Sequence, residues 1–253
     1  MKNIFSWILL IATASFVSLT IPALSQSSEA NVWATARVHQ PTPPPYCKPC
    51  LFYGGDFDAN GPSPNALLNQ DTLEFNSTMY VPFAVPPNQT WTVAGLFSNN
   101  MVKGVPGLSP PQIEWSISQG ISQGNSGTVI ASGVTKASLT PTGRSWNGMS
   151  EYTALGRLNA GQLVTLTQGH YWMTAVPVCL VECEAAFYMS DVEDVPAPHA
   201  KGFESTDESY WYASWAGDIF SETGGPNGVC SQEGAGGGCD KFSAGLLGTA
   251  RLN

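Results

Sequence analysis

Across the body of the chain, no stretch long enough for a three-turn helix carries an apolar stripe with a period of about 3.6 residues. What recurs instead is short apolar runs cut by Gly, Pro, Asn and Ser. Residues 113–118 show this best. Ile113, Trp115 and Ile117 alternate with Glu114, Ser116 and Ser118, the period of a strand with one face in a core. Residues 79–85, 91–97, 128–132, 150–155, 163–167, 171–178 and 185–189 read as further strands, with Gly95 marking a bulge. Pro86-Pro87 ends the first of them. The NAGQ at 159–162 and the QGH at 168–170 read as turns. A glycine-rich turn at 120–127 joins 113–118 to 128–132 as a hairpin. Residues 210–220 form the most aromatic stretch, residues 242–247 a last strand or short helix, and residues 66–70 a single helical turn. Many short strands with regular turn signals predict an all-β fold, one jelly-roll-like β-sandwich with disulfide-clipped loops.

The ends of the chain set the expected compartment. Lys2 precedes an apolar run, and the small residues Ala23 and Ser25 stand where a signal peptidase reads, so residues 1–25 read as a signal peptide cleaved before Gln26. Residues 26–50 form a Pro-rich leader or linker that favours extended polyproline II. Residues 51–253 form the β domain. No later segment reaches the ~18 apolar residues of a membrane span, and the C-terminus lacks a hydrophobic tail. The expectation is a secreted protein, extracellular or periplasmic, without a membrane anchor.

Charge narrows the partners. Ten Lys and Arg stand against 19 Asp and Glu, for a formal charge of −9. Such a chain has no electrostatic footprint for nucleic acid. Cations and neutral extracellular glycan or matrix remain.

Six cysteines fall into three close pairs, Cys47/Cys50, Cys179/Cys183 and Cys230/Cys239. An even number in an exported chain reads as disulfides, with the connectivity open and nearest-neighbour pairing the simplest. Bridges this short restrain the unfolded chain little, so they act as clips on loops. Cys47 and Cys50 also match a redox dithiol, or half of a four-Cys zinc site, but the proline run and the missing βαβ context favour a structural bridge.

The succession GGDFDANG, MYVPFAV, WTVAGLFSNN, IEWSIS, TVIASG, TPTGRS, EYTALG and HYWMTAVPVC resembles a group of exported bacterial proteins whose members often carry a PEP-CTERM sorting tail. The resemblance covers residues 53–179. It implies a secreted β-sandwich ectodomain and no particular activity. The Pro-Glu-Pro, apolar helix and basic tail of that pattern do not occur here, which leaves plain secretion.

Asp56, Asp58 and Asn60, followed by Gly61, match the opening of a calcium loop, in which a hard cation takes oxygens from alternate positions. Leu67 stands at the twelfth position, where an EF-hand needs a bidentate Glu. A calcium site would therefore need carboxylates from elsewhere, and Asp191, Glu193 and Asp194 are the candidates. The plainer reading is a solvated Asp/Asn/Gly turn. Gly120, Ser122 and Gly124 match G-x-S-x-G, with Asp191 and His199 following in hydrolase order, but a strand rather than a helix follows the motif. His39, His170 and His199 do not share a metal-ligand spacing. Tyr210, Trp211, Tyr212 and Trp215 offer a stacking platform for sugar rings, or a core face. Asn76 and Asn88 begin glycosylation sequons.

No coherent set of acid, base and nucleophile emerges. The expected role is non-catalytic: binding, adhesion or extracellular matrix, with calcium as a structural ion and no other cofactor. The alternative is a secreted carbohydrate-active hydrolase or lyase whose carboxylates, Asp56, Asp58, Asp191, Glu193 and Asp194, converge only in the fold.

Overall fold

A computed structural model describes residues 47, 50–68, 76–103, 112–179, 186–192, 209–213, 219–222 and 242–253. All lie within the compact unit Ala36–Asn253. The described chain is all-β. Its strands are β1 Cys50–Tyr53, β2 Phe57–Pro64, β3 Ala66–Leu68, β4 Asn76–Lys103, β5 Gln112–Gln119, β6 Thr128–Trp146, β7 Met149–Arg157, β8 Val164–Cys179, β9 Ala186–Val192, β10 Tyr210–Ala213, β11 Ile219–Glu222 and β12 Ala244–Leu252. One hydrogen-bonded sheet links them, antiparallel except where β3 meets β8.

Two long strands organise the rest. β4 pairs with β8 from Val81 to Val93, then with β7 from Gly95 to Val102. β12 lies along its other edge, from Gln89 to Ser98. β6 does the same: residues 128–136 pair with β5, and residues 137–146 with β7. Because β5 also pairs with β8, the path β4–β8–β5–β6–β7 returns to β4 and closes a ring.

β4 can change partners because it carries a bulge. Leu247 opposes Gly95 and Gly248 opposes Val93, which leaves Ala94 unpaired across from β12. One extra residue exchanges the faces of everything that follows. Before it, Met79, Val81, Phe83, Val85, Trp91 and Val93 enter the main core; after it, Leu96 does, and Phe97 turns to a second core. The carbonyl of Ala94 accepts the Leu158 N–H at 2.9 Å, where β7 ends. A side chain at Gly95 would stand 2.9 Å from the Gly156 carbonyl oxygen.

The main core is aromatic at its centre. Phe83 stacks with Phe52, Tyr171 and Trp91 at centroid distances of 5.7, 5.5 and 6.1 Å. Such pairs add about 0.5–1.5 kcal/mol beyond area burial. The second core, on the far face of β4, β7 and β12, joins Cys47, Cys50, Tyr53, Phe97, Leu155 and Leu247. That part of the sheet is therefore covered on both sides.

Several local expectations change. Of the helical turn expected at residues 66–70, the described part, Ala66–Leu68, is instead a strand between β4 and β8. The Asp/Asn/Gly stretch lies within β2, where Phe57 and Pro62–Pro64 pair with β9 and residues 58–61 between them bulge. Pro86-Pro87 does not end a strand. β4 runs through it, and the prolines fall where the β8 register skips from Val85 to Thr90, so the missing N–H removes no bond to β8. Asn88, at φ 60°, absorbs the bend. β8 likewise runs through Gly169 and His170. In the aromatic stretch, Tyr210–Ala213 forms β10, which pairs antiparallel with β11. Of residues 242–247, Ala244–Leu247 begin the strand β12.

Candidate functional site

β7 presents Met149, Glu151, Thr153 and Leu155 on one face, and all four are buried. An ionised carboxylate there must be paired. The neighbouring strand supplies the partner through a bulge. Pro141 opposes Tyr152 and Ser145 opposes Ser150, so residues 142–144 together face Glu151. Gly143, at φ 87°, permits this course. The Thr142 hydroxyl and the Arg144 Nε–H both donate to Glu151 Oε2. Glu151 has no solvent exposure, while the Arg144 side chain is 32% exposed.

A third segment closes the cluster. After β1 the chain passes Gly54 and Gly55, which pack against residues 242–244. The Gly54 N–H donates to the Ala244 carbonyl at 2.8 Å, and the Ser243 hydroxyl donates to the Gly55 carbonyl at 2.5 Å. A Cβ on Gly54 would collide with the Phe242 carbonyl oxygen. This delivers Asp56 to Arg144, with Oδ1 3.0 Å from Nη1. The Tyr53 hydroxyl donates to the same carboxylate oxygen, and its ring packs on Phe97 at 5.7 Å.

A neutral polar row continues inward. Thr153 donates to Asn99 Oδ1 at 2.6 Å, and Asn99 Nδ2 donates to Ser243 Oγ at 2.7 Å. On the core side, Asn65 Nδ2 donates to Asn100 Oδ1 at 3.1 Å and to the Ala175 carbonyl at 3.2 Å, and Asn65 Oδ1 accepts the Met79 N–H at 3.4 Å.

The electrostatics follow from burial and pairing. Burial, then the charge and hydrogen bond of Asp56, push the Tyr53 hydroxyl well above its usual pKa; Arg144 and Ser243 pull weakly the other way. Burial works to lower the Arg144 pKa, but Glu151 and Asp56 outweigh it and the net direction is upward. The cluster thus holds one cation between two carboxylates, with a phenol kept neutral beside them. Its bonds tie β1, the β6 bulge and β7 together.

No family model, curated protein or solved structure matches this chain.

The residues expected from sequence are dispersed over the fold. Asp56 sits in the ionic cluster, held by Tyr53 and Arg144. Asp58 and Asn60 lie on β2 and Asp191 on β9. Phe57 opposes Val192 and Pro62 opposes Ser190. The register therefore places residues 58–61 opposite Asp191 as a bulge. Tyr210 is buried and meets Trp172 edge-on at 6.3 Å, in a cluster with Ile121 and Tyr80. Trp211 and Tyr212 follow on β10, across from Met79 and Thr78. Cys47 and Cys50 stand at disulfide distance, their Cα atoms 4.7 Å apart, and both are buried. Cys179 ends β8. Glu193, Asp194, Trp215, Cys183, Cys230, Cys239, His39 and His199 lie outside the described residues.

Ser122 sits at the tip of the β5–β6 hairpin. It exchanges two backbone hydrogen bonds with Asn125, at 3.0 and 2.8 Å, and β6 follows. His170 is exposed on β8. Among the described residues, no three His, Cys, Asp or Glu side chains stand close enough to hold a metal ion.

Sequence reading missed Tyr53, Arg144 and Glu151. One signal was present: Glu151 shares strand parity with Met149 and Leu155, which puts a charge on an apolar face. Nothing local names Arg144 as its partner.

Proposed function

We propose that this protein is an exported, non-catalytic β-sandwich of jelly-roll type, serving in binding, adhesion or an extracellular matrix. The observation that carries this reading is the state of the cluster's carboxylates. Glu151 is sealed from solvent, and both it and Asp56 are engaged by Arg144. A glycosidase-type pair instead needs one carboxyl free to donate a proton and another free to attack or to activate water. These acids serve packing. The closed strand ring supports the sandwich reading, since long strands that bend from one layer into the next make the corners of such folds.

A structural calcium fits the same account at the β2–β9 bulge, with Asp58, Asn60 and Asp191 as its ligands. Asp56 stays with Arg144. The remaining surface, acidic overall, suits a neutral glycan or matrix polymer as partner, in line with the resemblance to exported ectodomains.

The test is retention on a panel of extracellular polysaccharides, with product analysis of the same samples. The expected result is retention on at least one polymer with no new reducing or unsaturated ends. Release of such ends, in step with protein concentration, would overturn the reading.

A further inference from the structure

Among the described residues, the first half of β6 is paired along one edge only. Its residues 128–136 pair with β5, but pairing with β7 on the other side begins only at Ala137. Among the described residues, no strand lies along the β7-side edge of residues 128–134. The Val134 carbonyl faces that open side, where the Gln162 amide donates to it at 3.4 Å in place of a strand. The side chains there are β-branched and solvated: Val129, Ile130 and Val134 are 57%, 44% and 50% exposed. An open edge with this composition is a template for another strand.

We propose that this edge pairs with the same edge of a second copy, antiparallel about a two-fold axis at Ser132. Three features of the sequence select this occupant. First, the segment is self-complementary in that register. Ile130 of each copy lies opposite Val134 of the other, and Ser132 opposite Ser132. The exposed aliphatic side chains thus become cross-strand neighbours, and no like charges face each other. Second, backbone parity agrees. Groups two residues apart on a strand point to the same edge, so the Ser132 N–H and C=O share the open side with the Val134 carbonyl. Third, the chain carries a charge of −9, yet residues 120–141 contain no Asp or Glu and one Lys. Two acidic copies meet least repulsion here. The register also shifts beside Ile130, which limits the edge to one short pairing. A two-fold contact consumes both edges, so the assembly closes as a dimer rather than growing into a fibre.

The test is sedimentation equilibrium of the mature chain from about 1 µM to 1 mM, the range in which a small interface associates, for wild type, Val134→Glu and Ser132→Cys. The expected result is a twofold rise in mass across the series for wild type and a monomer throughout for Val134→Glu, with an unchanged far-UV spectrum. Mild oxidation should cross-link Ser132→Cys into a dimer, while the control Ser138→Cys, on the part of β6 paired with β7, should stay monomeric. A wild type that remains monomeric at the highest concentration overturns the proposal. So does a dimer that survives Val134→Glu, or equal cross-linking at both positions. Should Val134→Glu fail to fold, Ile130→Lys is read by the same criterion.

Discussion

Arg144 Nη1 stands 3.0 Å from Asp56 Oδ1 and joins the segment after β1 to the β6 bulge. The same guanidinium holds Glu151 through its Nε. One cation therefore serves two carboxylates, one sealed and one near the surface.

Removing that cation leaves Glu151 buried without its guanidinium partner. Arg144→Met is expected to cost about 2–4 kcal/mol, below the full penalty of a buried pair because Arg144 is partly solvated. Adding Glu151→Met should recover part of the loss, since the stranded charge goes with it. Urea unfolding midpoints of the two variants check both signs.

Tyr53 gives the cluster an alkaline limit. Its pKa is raised in the folded state, so the unfolded chain ionises first. Its contribution to stability is intact below the usual phenol value of about 10 and is lost as pH rises from there toward the folded value. Within that window the slope is about 1.4 kcal/mol per pH unit for one proton. Tyr53→Phe should lower stability at neutral pH through the lost bond to Asp56, and should flatten the decline above pH ~10. Denaturant unfolding of both forms across that range measures the difference, with the lysines titrating equally in each.

Gly127 closes the β5–β6 hairpin at φ 70°, and a Cβ there would collide with the Gln119 carbonyl oxygen. Gly127→Ala should cost about 3 kcal/mol, the collision adding to the backbone strain, whereas Gly124→Ala, with open space around it, should cost about 1 kcal/mol from the positive φ alone. Thermal unfolding of the pair separates steric from purely conformational cost.

These positions show how far residues alone reach. β5 was legible because Ile113, Trp115 and Ile117 alternate against Glu114 and Ser116, which are not buried; Ser118, expected on that polar face, is buried. The β5–β6 hairpin was legible because its glycines take positive φ. β4 was misread at Pro86-Pro87: proline breaks a strand only where its N–H is needed, and which N–H groups are needed depends on a β8 register that local pattern does not carry. The stretch from Asp56 to Gly61 has turn composition, yet β9 pairs with Phe57 and Pro62, so residues 58–61 form a bulge within a strand pair. Cys47 and Cys50 read as a linker clip, yet both belong to a core. The ionic cluster was invisible for a related reason: Glu151 betrays a need for a cation, but Arg144 answers it through a bulge whose offset is fixed by tertiary pairing.

The β2–β9 bulge carries the cation prediction. Thermal unfolding after EDTA treatment, then with calcium from micromolar to millimolar, should show a rising midpoint, because a ligand that binds only the native state must stabilise it. Asp58→Asn with Asp191→Asn should abolish the rise. A midpoint indifferent to calcium would remove the ion from the account and leave the bulge as pairing geometry.

The central claim is that the acids of the cluster hold the fold and do not act on a ligand. A double-mutant cycle on Asp56 and Arg144 tests it most directly, with Asp56→Asn, Arg144→Met and the double variant each measured by urea unfolding and by polysaccharide retention. The account predicts a coupling energy of about 0.5–3 kcal/mol between the two positions, with retention unchanged in every variant that folds. Coupling near zero, or retention lost while the unfolding midpoint holds, would contradict it.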